Sequence, residues 1–261
     1  MGILNVTPDS FSDGGRFNLG SAAFERAAAM LAEGADIIDI GGESTRPGAA
    51  PVSVQEELDR VIPVVESIAG KLDTLISVDT SSPEVMLAAA AAGAHLLNDV
   101  RALQRSGALE AAARTGLPVC LMHMQGEPQN MQANPEYEDV TEEVYFYLAR
   151  KIQQANQAGI GNERLLIDPG FGFGKSLEHN LQLLANLKRF KTLGLPLLVG
   201  MSRKSMIGAL TGKSVPAERV QGSVAAAVIA AMHGAHILRV HDVKETADAL
   251  KIVAAVKDVM V

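Results

Sequence analysis

The chain of 261 residues has a single cysteine, no tryptophan, only 4% aromatic residues and no apolar run as long as a membrane span. Its one cysteine, Cys120, excludes an intrachain disulfide framework and a metal cluster held by several cysteines. Nothing indicates an oxidising compartment, so we expect a cytoplasmic protein. A bilayer span needs roughly 18 consecutive apolar residues, and we therefore expect no membrane partner.

Positive charge is also scarce. The sequence has 23 Lys and Arg residues against 30 Asp and Glu residues, which gives a formal net charge of -7. General nucleic-acid binders use a cationic face or aromatic rings for stacking, and this chain is poor in both. We therefore expect no nucleic-acid partner and favour a small-molecule ligand.

Short apolar runs recur along the whole sequence, and each is followed by a longer segment with helical spacing. The eight predicted strands are 2–6, 37–40, 75–79, 95–98, 119–123, 165–168, 197–200 and 237–240. Strands that are apolar throughout are typical of a parallel sheet covered by helices on both faces. Because no linker interrupts the eight units, we predict an α/β fold, a single (β/α)8 TIM barrel domain over residues 1–261.

An open doubly wound sheet is the alternative fold. It is disfavoured because no Gly-x-Gly-x-x-Gly motif follows the first strand and no second domain is apparent. The length also suits a barrel, since α/β barrels commonly use about 200 to 250 residues for one domain.

The helix predicted after the second strand has clear local signals. Ser53 and Glu56 have the spacing of a capping box at its start. Val54, Leu58, Val61, Val65 and Ile68 fall on one helical face and predict the side that packs on the sheet. Pro63 lies within the helix and is expected to bend or loosen one turn, because it has no amide hydrogen to donate.

Polar side chains follow the predicted strands at or just beyond their carboxyl ends, where the active sites of such barrels lie. These residues are Asn5, Thr45, Arg46, Asp79, Asn98, His123, Asp168, Lys204, Arg239 and His241. Ionised groups in one mouth lose hydration unless partners replace it, so the set implies either mutual pairing or a polar ligand.

Each of these residues also has a structural interpretation. Asp79 is a candidate cap for the next helix, although the serines and threonine that follow it already offer caps, and we favour a functional role. Asp168 either begins a turn or is a buried recognition carboxylate, and its apolar approach favours the second. Asn98 and Asp99 must point in different directions along a strand, and we select Asn98 for the mouth.

The cations near the chain's end are similarly ambiguous. A lysine at a helix start is unfavourable unless a ligand or carboxylate faces it, which makes Lys204 more informative than its neighbour Arg203. Arg239 and His241 lie on the same side of a strand, and we favour anion binding by the pair over a salt bridge. Residues 170–175 fail the spacing of a phosphate-binding loop, so we predict a flexible loop beside Asp168.

Five long motifs make the chain recognisable: 5–15 (NVTPDSFSDGG), 41–48 (GGESTRPG), 168–175 (DPGFGFGK), 202–205 (SRKS) and 239–242 (RVHD). In order and spacing they resemble the bacterial dihydropteroate synthase family of pterin-binding enzymes, from Gly2 almost to the end of the chain. The resemblance implies a magnesium-assisted transferase that joins 6-hydroxymethyl-7,8-dihydropterin diphosphate to p-aminobenzoate. It also implies a homodimer built on outer helices, and competitive inhibition by sulfonamides.

The resemblance carries residue roles as well. It implies that the pterin edge is held by Asp79, Asn98, Asp168 and Lys204, with Met122 on its apolar surround. Arg239 would lie against the pterin and, with His241 and Asn5, help to hold the diphosphate and magnesium, with Asn5 as the metal ligand. The implied catalytic residues are Asp79, Lys204, Arg239 and His241. The p-aminobenzoate side would be shaped by Phe11, Thr45, Arg46, Phe173 and Ser205.

Three other functions remain open from the sequence. A pterin-dependent methyltransferase domain shares the barrel and much of the pocket, and it would bind a methylated folate and a corrinoid partner. A Schiff-base aldolase would use Lys204 as its nucleophile. A non-catalytic pterin binder would need only the pocket. Neither the methyltransferase nor the aldolase accounts for residues 7–15.

Overall fold

The structure is a computed structural model that describes residues 1–7, 16–44, 52–127 and 130–259. Within these ranges the chain alternates between eight short strands and nine α-helices. The strands are β1 (Gly2–Asn5), β2 (Ile37–Gly41), β3 (Leu75–Asp79), β4 (Leu96–Asp99), β5 (Val119–Met122), β6 (Leu165–Asp168), β7 (Leu198–Val199) and β8 (Ile237–Leu238). The helices are α1 (Arg16–Ala32), α2 (Val54–Ala69), α3 (Pro83–Ala91), α4 (Ala108–Thr115), α5 (Val140–Gln157), α6 (Leu177–Ala185), α7 (Ser205–Thr211), α8 (Val220–Met232) and α9 (Val243–Asp258).

All strands are parallel and each pairs with its neighbour in the chain. Strands β1 to β6 form one continuous sheet, and β7 pairs with β8. Single parallel bridges complete the ring, between Ile167 and Leu197 on one side and between Gly2 and Val240 on the other. The architecture is the predicted (β/α)8 barrel, and β7 and β8 are shorter than predicted.

The strand register separates an interior face from an exterior face. Ile38, Ile40, Ile76 and Val78 are fully buried and belong to the apolar core that the helices also join. The alternate positions of the same strands point into the barrel, because successive side chains of a strand lie on opposite faces. This alternation places Asp79 and the other polar strand-end residues on the inner face.

Helix α2 follows its local sequence closely. The Ser53 hydroxyl accepts a hydrogen bond from the Glu56 amide, and the Glu56 carboxylate accepts one from the Ser53 amide, which confirms the capping box. Pro63 lies inside the helix, and Val61, Val65 and Ile68 are buried as predicted. Leu58 is half-buried, whereas Val54, the first residue of the helix, is exposed, so the predicted face is wrong at its start. Among the described residues, no helix is both long enough and apolar enough to cross a membrane.

Candidate active site

A carboxylate–guanidinium cluster occupies one side of the barrel mouth. Arg239, which directly follows β8, donates from Nε to Asp39 Oδ2 at 2.5 Å and from Nη2 to Asp79 Oδ2 at 2.8 Å. Asp39 lies in β2 and Asp79 ends β3, so the guanidinium spans two neighbouring strands. The salt-bridge interpretation of Arg239 therefore holds within the described residues, and the pair of carboxylates fixes two edges of its plane.

The neighbouring residues Asn98 and Asp99 diverge as the pleat requires. Asn98 points inward and donates from Nδ2 to Asp39 Oδ2 at 3.3 Å. Asp99 points to the opposite face, where it accepts hydrogen bonds from the Ser81 hydroxyl and from the amides of Arg101 and Leu103. Asn98 is thus a mouth residue, whereas Asp99 closes the turn after β4.

Asp168 and Lys204 occupy the other side of the mouth. Asp168 ends β6, and its Oδ1 accepts a hydrogen bond from the Gly170 amide at 2.7 Å. Lys204 precedes α7, donates from Nζ to the carbonyl oxygen of Phe171, and holds this nitrogen 4.4 Å from the centre of the Phe173 ring. Burial raises the pKa of Asp168 and lowers that of Lys204, and the charge of each group opposes the shift of the other.

The loop after β6 is pinned by a second, deeper lysine. Lys175 is only 3% exposed, and its Nζ donates to the carbonyl oxygens of Gly170 and Phe173 at 2.9 and 3.0 Å. It also lies 2.9 Å from Nδ1 of His123, which faces it from the end of β5. The flexible loop expected from the sequence is instead held at several points by the buried Lys175 side chain.

His241 lies beside Ser202 at the edge of the same mouth. Ser202 Oγ accepts a hydrogen bond from the His241 amide and lies 3.1 Å from Nδ1 of its ring. Arg203, the neighbour of Lys204, forms a two-point ion pair with Asp242. Since that pair uses the charge of Arg203, Lys204 is the member of this turn that faces the barrel.

Burial shifts the titration of the central groups towards their neutral forms. Burial raises the pKa of Asp79 to about 7, with Arg239 opposing the shift and the carboxylates of Asp39, Asp99 and Glu57 adding to it. Burial likewise lowers the pKa of Lys204 to about 8, although Asp168 favours its charged form.

Two other groups show the same balance. Burial raises the pKa of Asp168, and the charge of Lys204 is the largest influence against that shift. Burial works against the charged form of Arg239, but Asp39 and Asp79 outweigh it and raise the pKa of this guanidinium. Arg239 is thus a permanent cation, whereas Asp79 and Lys204 both titrate near neutrality.

Asn5 ends β1 at the same mouth and offers one amide oxygen. A Cβ atom added at the neighbouring Gly41 would lie at ordinary contact distances, 3.7 Å from Asn5 Oδ1 and 3.5 Å from Asp79 Cβ, so Asn5 and Asp79 both lie beside this glycine. Among the described residues, no three His, Cys, Asp or Glu side chains are grouped so as to hold a metal ion.

Comparison with known proteins decides the family. The sequence profile of the family described as "Pterin binding enzyme" matches residues 1–241. The chain is 63% identical over 255 residues to the dihydropteroate synthase of Escherichia coli (strain K12), which covers 98% of this chain and 90% of that protein. The chain belongs to the dihydropteroate synthase family of pterin-binding enzymes.

Solved structures of the dihydropteroate synthase family superpose on the whole barrel. The Yersinia pestis dihydropteroate synthase with a sulfonamide drug complex has a TM-score of 0.95 and 61% identity, covering 99% of this chain and 94% of that chain. The Xanthomonas albilineans dihydropteroate synthase in complex with 7,8-dihydropteroate has a TM-score of 0.91 and 52% identity, covering 100% and 94%. The chain is accordingly an enzyme of the transferase class.

Most of the residues to which the dihydropteroate synthase resemblance gives a role lie at one mouth of the barrel. Those at or beside the inner strand ends are Asn5, Asp79, Asn98, Met122, Asp168, Phe173, Lys204, Arg239 and His241. Ser205 is the first residue of α7 and is exposed. Phe11, Thr45 and Arg46 lie outside the described residues, so their assignment to the p-aminobenzoate side stays a prediction.

Two residues that organise this mouth were not selected from the sequence. Asp39 is fully buried and contacts both Arg239 and Asn98. A charged residue in the middle of an otherwise apolar strand is the signal that would have found it, because such a carboxylate needs a partner. Lys175 ends the 168–175 motif, but nothing in the motif predicts that its side chain turns inward.

Proposed function

We propose that this protein condenses 6-hydroxymethyl-7,8-dihydropterin diphosphate with p-aminobenzoate, giving 7,8-dihydropteroate and diphosphate in a magnesium-assisted reaction. The observation that supports this proposal is that charged side chains of both signs line two sides of one mouth. Arg239 and Asp79 lie on one side, and Asp168 and Lys204 lie on the other. A pterin edge presents both donors and acceptors, and such an edge needs carboxylates, an amide and a cation together.

The reaction breaks the bond between the pterin methylene carbon and the diphosphate oxygen and forms a carbon–nitrogen bond to the arylamine, which then loses one proton. As the diphosphate departs, positive charge develops on the pterin and negative charge on the leaving group. Asp79 stabilises the positive charge on the pterin, and Arg239 and His241 stabilise the negative charge on the diphosphate. These effects are strong because preorganised charges in a site with little water act on a charge-separated transition state.

The remaining residues bind and orient the pterin. Asn98 and Asp168 supply an amide and a carboxylate, Lys204 supplies a donor, and Met122 lies on the apolar surround. No covalent intermediate on the enzyme is needed, because the arylamine is itself the nucleophile. Ser205 and Phe173 then form part of the p-aminobenzoate side, together with Phe11, Thr45 and Arg46.

The residues at the mouth fit a magnesium ion that binds together with the diphosphate. Magnesium commonly takes one or two protein oxygens and completes its shell with substrate phosphates and water. Asn5 supplies such an oxygen beside Gly41 and Asp79. When bound, the ion would neutralise charge on the leaving diphosphate.

The test is a two-substrate assay that follows dihydropteroate and diphosphate with both substrates and magnesium present, and with each omitted in turn. We expect product only in the complete mixture, and large losses of turnover in Asp79→Asn and Lys204→Ala. Wild-type rates in either variant would remove that residue from the mechanism. We also expect a sulfonamide to compete with p-aminobenzoate, and unaltered turnover at saturating drug and limiting p-aminobenzoate would reject that.

The pterin-dependent methyltransferase is the alternative function. It predicts binding of a methylated folate and a corrinoid partner, and the omission series separates it because no diphosphate would be released. We further propose that residues 1–261 act as one cytoplasmic catalytic domain and form a homodimer through outer helices. The exposed apolar side chains on α8 and α9, Ile229, Ile252 and Val256, support the homodimer. Sedimentation of variants that carry charged residues at these positions would test it.

A further inference from the structure

Asp39 lies deeper in the barrel than any residue assigned to the substrate. In the strand register Asp39 pairs with Ser77, and Asp79 pairs with Gly41, so Asp39 is one inward-facing row below Asp79. Its side chain is 0% exposed. A carboxylate in this row does not reach a ligand in the mouth directly, and any effect on the reaction must pass through the side chains that it contacts.

Those contacts are two residues that the proposed function assigns to the substrate. Asp39 Oδ2 accepts from Arg239 Nε at 2.5 Å and from Asn98 Nδ2 at 3.3 Å. The guanidinium is planar with donors in fixed directions, so bonds at Nε and at Nη2 together define its plane. If Asp79 turns towards a bound pterin, the bond to Asp39 still holds Arg239 in place.

The arrangement is costly for a purely structural ion pair. A buried carboxylate loses its hydration, and the loss is recovered only when hydrogen bonds satisfy both oxygens. Among the described residues, Asp39 Oδ1 has no hydrogen-bond partner, and neither does Ser77 Oγ in the same row. Well-packed apolar residues would serve stability alone at least as well as this half-satisfied carboxylate.

We propose that Asp39 is a positioning residue that fixes the guanidinium of Arg239 and the amide of Asn98 for the pterin diphosphate. This inference rests on the proposed function. Asp39 touches neither substrate, and it acts by holding two groups that do. Its negative charge also lies close to Asp79, which connects Asp39 to the pH dependence of the reaction.

That connection supplies a readout that a merely structural residue would not change. The charged groups that act on Asp79 are Arg239, Asp39, Asp99 and Glu57. Asp39 is a like charge that raises the pKa of Asp79, so Asp39→Asn lowers that pKa and leaves Arg239 to favour ionised Asp79. The acid limb of kcat/KM therefore moves to lower pH, because this limb reports groups of the free enzyme.

The experiment is a double-mutant cycle between Asp39→Asn and Arg239→Lys, with kcat, both KM values and the pH profile measured. We expect Asp39→Asn to lower kcat by roughly tenfold with little change in the KM for p-aminobenzoate. In the Arg239→Lys background the same substitution should cost less than about twofold, because residues that act through each other are not additive. Ser77→Ala is the matched control, since it alters the same row without touching Arg239, and it should keep wild-type turnover.

The possible outcomes distinguish a failure of the proposed function from a failure of the role proposed for Asp39. A wild-type protein that forms no dihydropteroate rejects the proposed function, whereas active wild type with unchanged kcat and acid limb in Asp39→Asn rejects the role of Asp39. Equal losses in both backgrounds reject it too. If Asp39→Asn does not fold, Asp39→Ser replaces the carboxylate by a smaller acceptor and should give the same loss. If neither variant folds, Asp39 is a requirement of the barrel and the proposal is wrong.

Discussion

On the side of the mouth formed by β2, β3 and β8, charged side chains bond directly to one another, whereas on the side formed by β5, β6 and β7 they bond mainly to main-chain atoms. Arg239 pairs with two carboxylates in the first region. In the second region Lys204 and Lys175 both donate to backbone carbonyls, and Asp168 accepts from a backbone amide.

The difference has consequences for charge. The guanidinium stays ionised throughout the ordinary pH range, and its partners hold it rigidly. The two lysines are partnered mostly by neutral carbonyls, and burial accordingly lowers the pKa of both, to about 8 for Lys204. The first side, which we call the arginine wall (Arg239, Asp39 and Asp79), therefore provides a fixed cation. The second side, which we call the lysine wall (Asp168, Lys175 and Lys204), provides positive charge that depends on pH and on the shape of the β6 loop.

The largest expected effect comes from removing the carboxylate of the lysine wall. Asp168→Ala takes away the charge that most strongly favours protonated Lys204 and leaves the Gly170 amide without its acceptor. Hydrogen bonds that involve charged groups contribute about 1.5 to 3 kcal/mol, so we expect kcat/KM for the pterin substrate to fall roughly 100-fold. Steady-state kinetics at fixed p-aminobenzoate would measure it.

The matched control is the other buried strand-end aspartate. Asp99 bonds to Ser81 and to the turn after β4, on the face away from the mouth. Asp99→Asn should lower Tm yet keep turnover per folded enzyme within about twofold of wild type. A similar loss of kcat/KM in both variants would show that general weakening of the barrel, and not the lysine wall, is responsible.

The two walls should also set opposite limbs of the pH profile. Asp79 must be ionised to stabilise a cation, so kcat/KM falls as pH drops below about 7. Lys204 must be protonated to donate, so kcat/KM falls as pH rises above about 8. Each limb approaches roughly tenfold per pH unit. Lys204→Arg keeps a permanent charge and should remove only the alkaline limb, and a limb that persists in this variant would assign it elsewhere.

The same contrast explains how much of the site could be predicted from the sequence. The barrel followed from local information, because each strand is a continuous apolar run and each run is followed by helical spacing. Asp79, Asn98 and Asp168 then followed from topology, since parallel strands in a barrel end at one mouth. The alternation of side chains along β4 predicted that Asn98 and Asp99 point apart, and the contact with Asp39 shows that Asn98 is the one at the mouth.

The role of Asp39 as a partner of Arg239 could not be predicted, because the two residues are far apart in the chain. Asp39 and Arg239 are separated by 200 residues, and no spacing rule connects them. The buried position of the Lys175 side chain could not be predicted for another reason. Its inward direction depends on the carbonyls of Gly170 and Phe173 converging after the loop has folded, and glycine-rich sequence indicates freedom rather than that particular shape.

The smallest expected effect tests whether the β6 loop controls Lys204 by its shape. Gly172 has a φ of +77°, and a Cβ atom there would lie 3.0 Å from Lys204 Cδ. Gly194 has a φ of +72°, and nothing lies within 4 Å of its added Cβ. An alanine at either position pays about 1 kcal/mol or more for the left-handed backbone, so both variants should lose a few degrees of Tm.

Only Gly172→Ala should also change catalysis, because only there does the new methyl group press on the lysine. We expect kcat/KM for the pterin substrate to fall several-fold in Gly172→Ala, up to about tenfold, and to stay unchanged in Gly194→Ala. Both are measured beside thermal unfolding of the same preparations. Equal kinetics in the two variants would mean that Lys204 adjusts freely to the loop, and the lysine wall would then be adaptable in position as well as in charge.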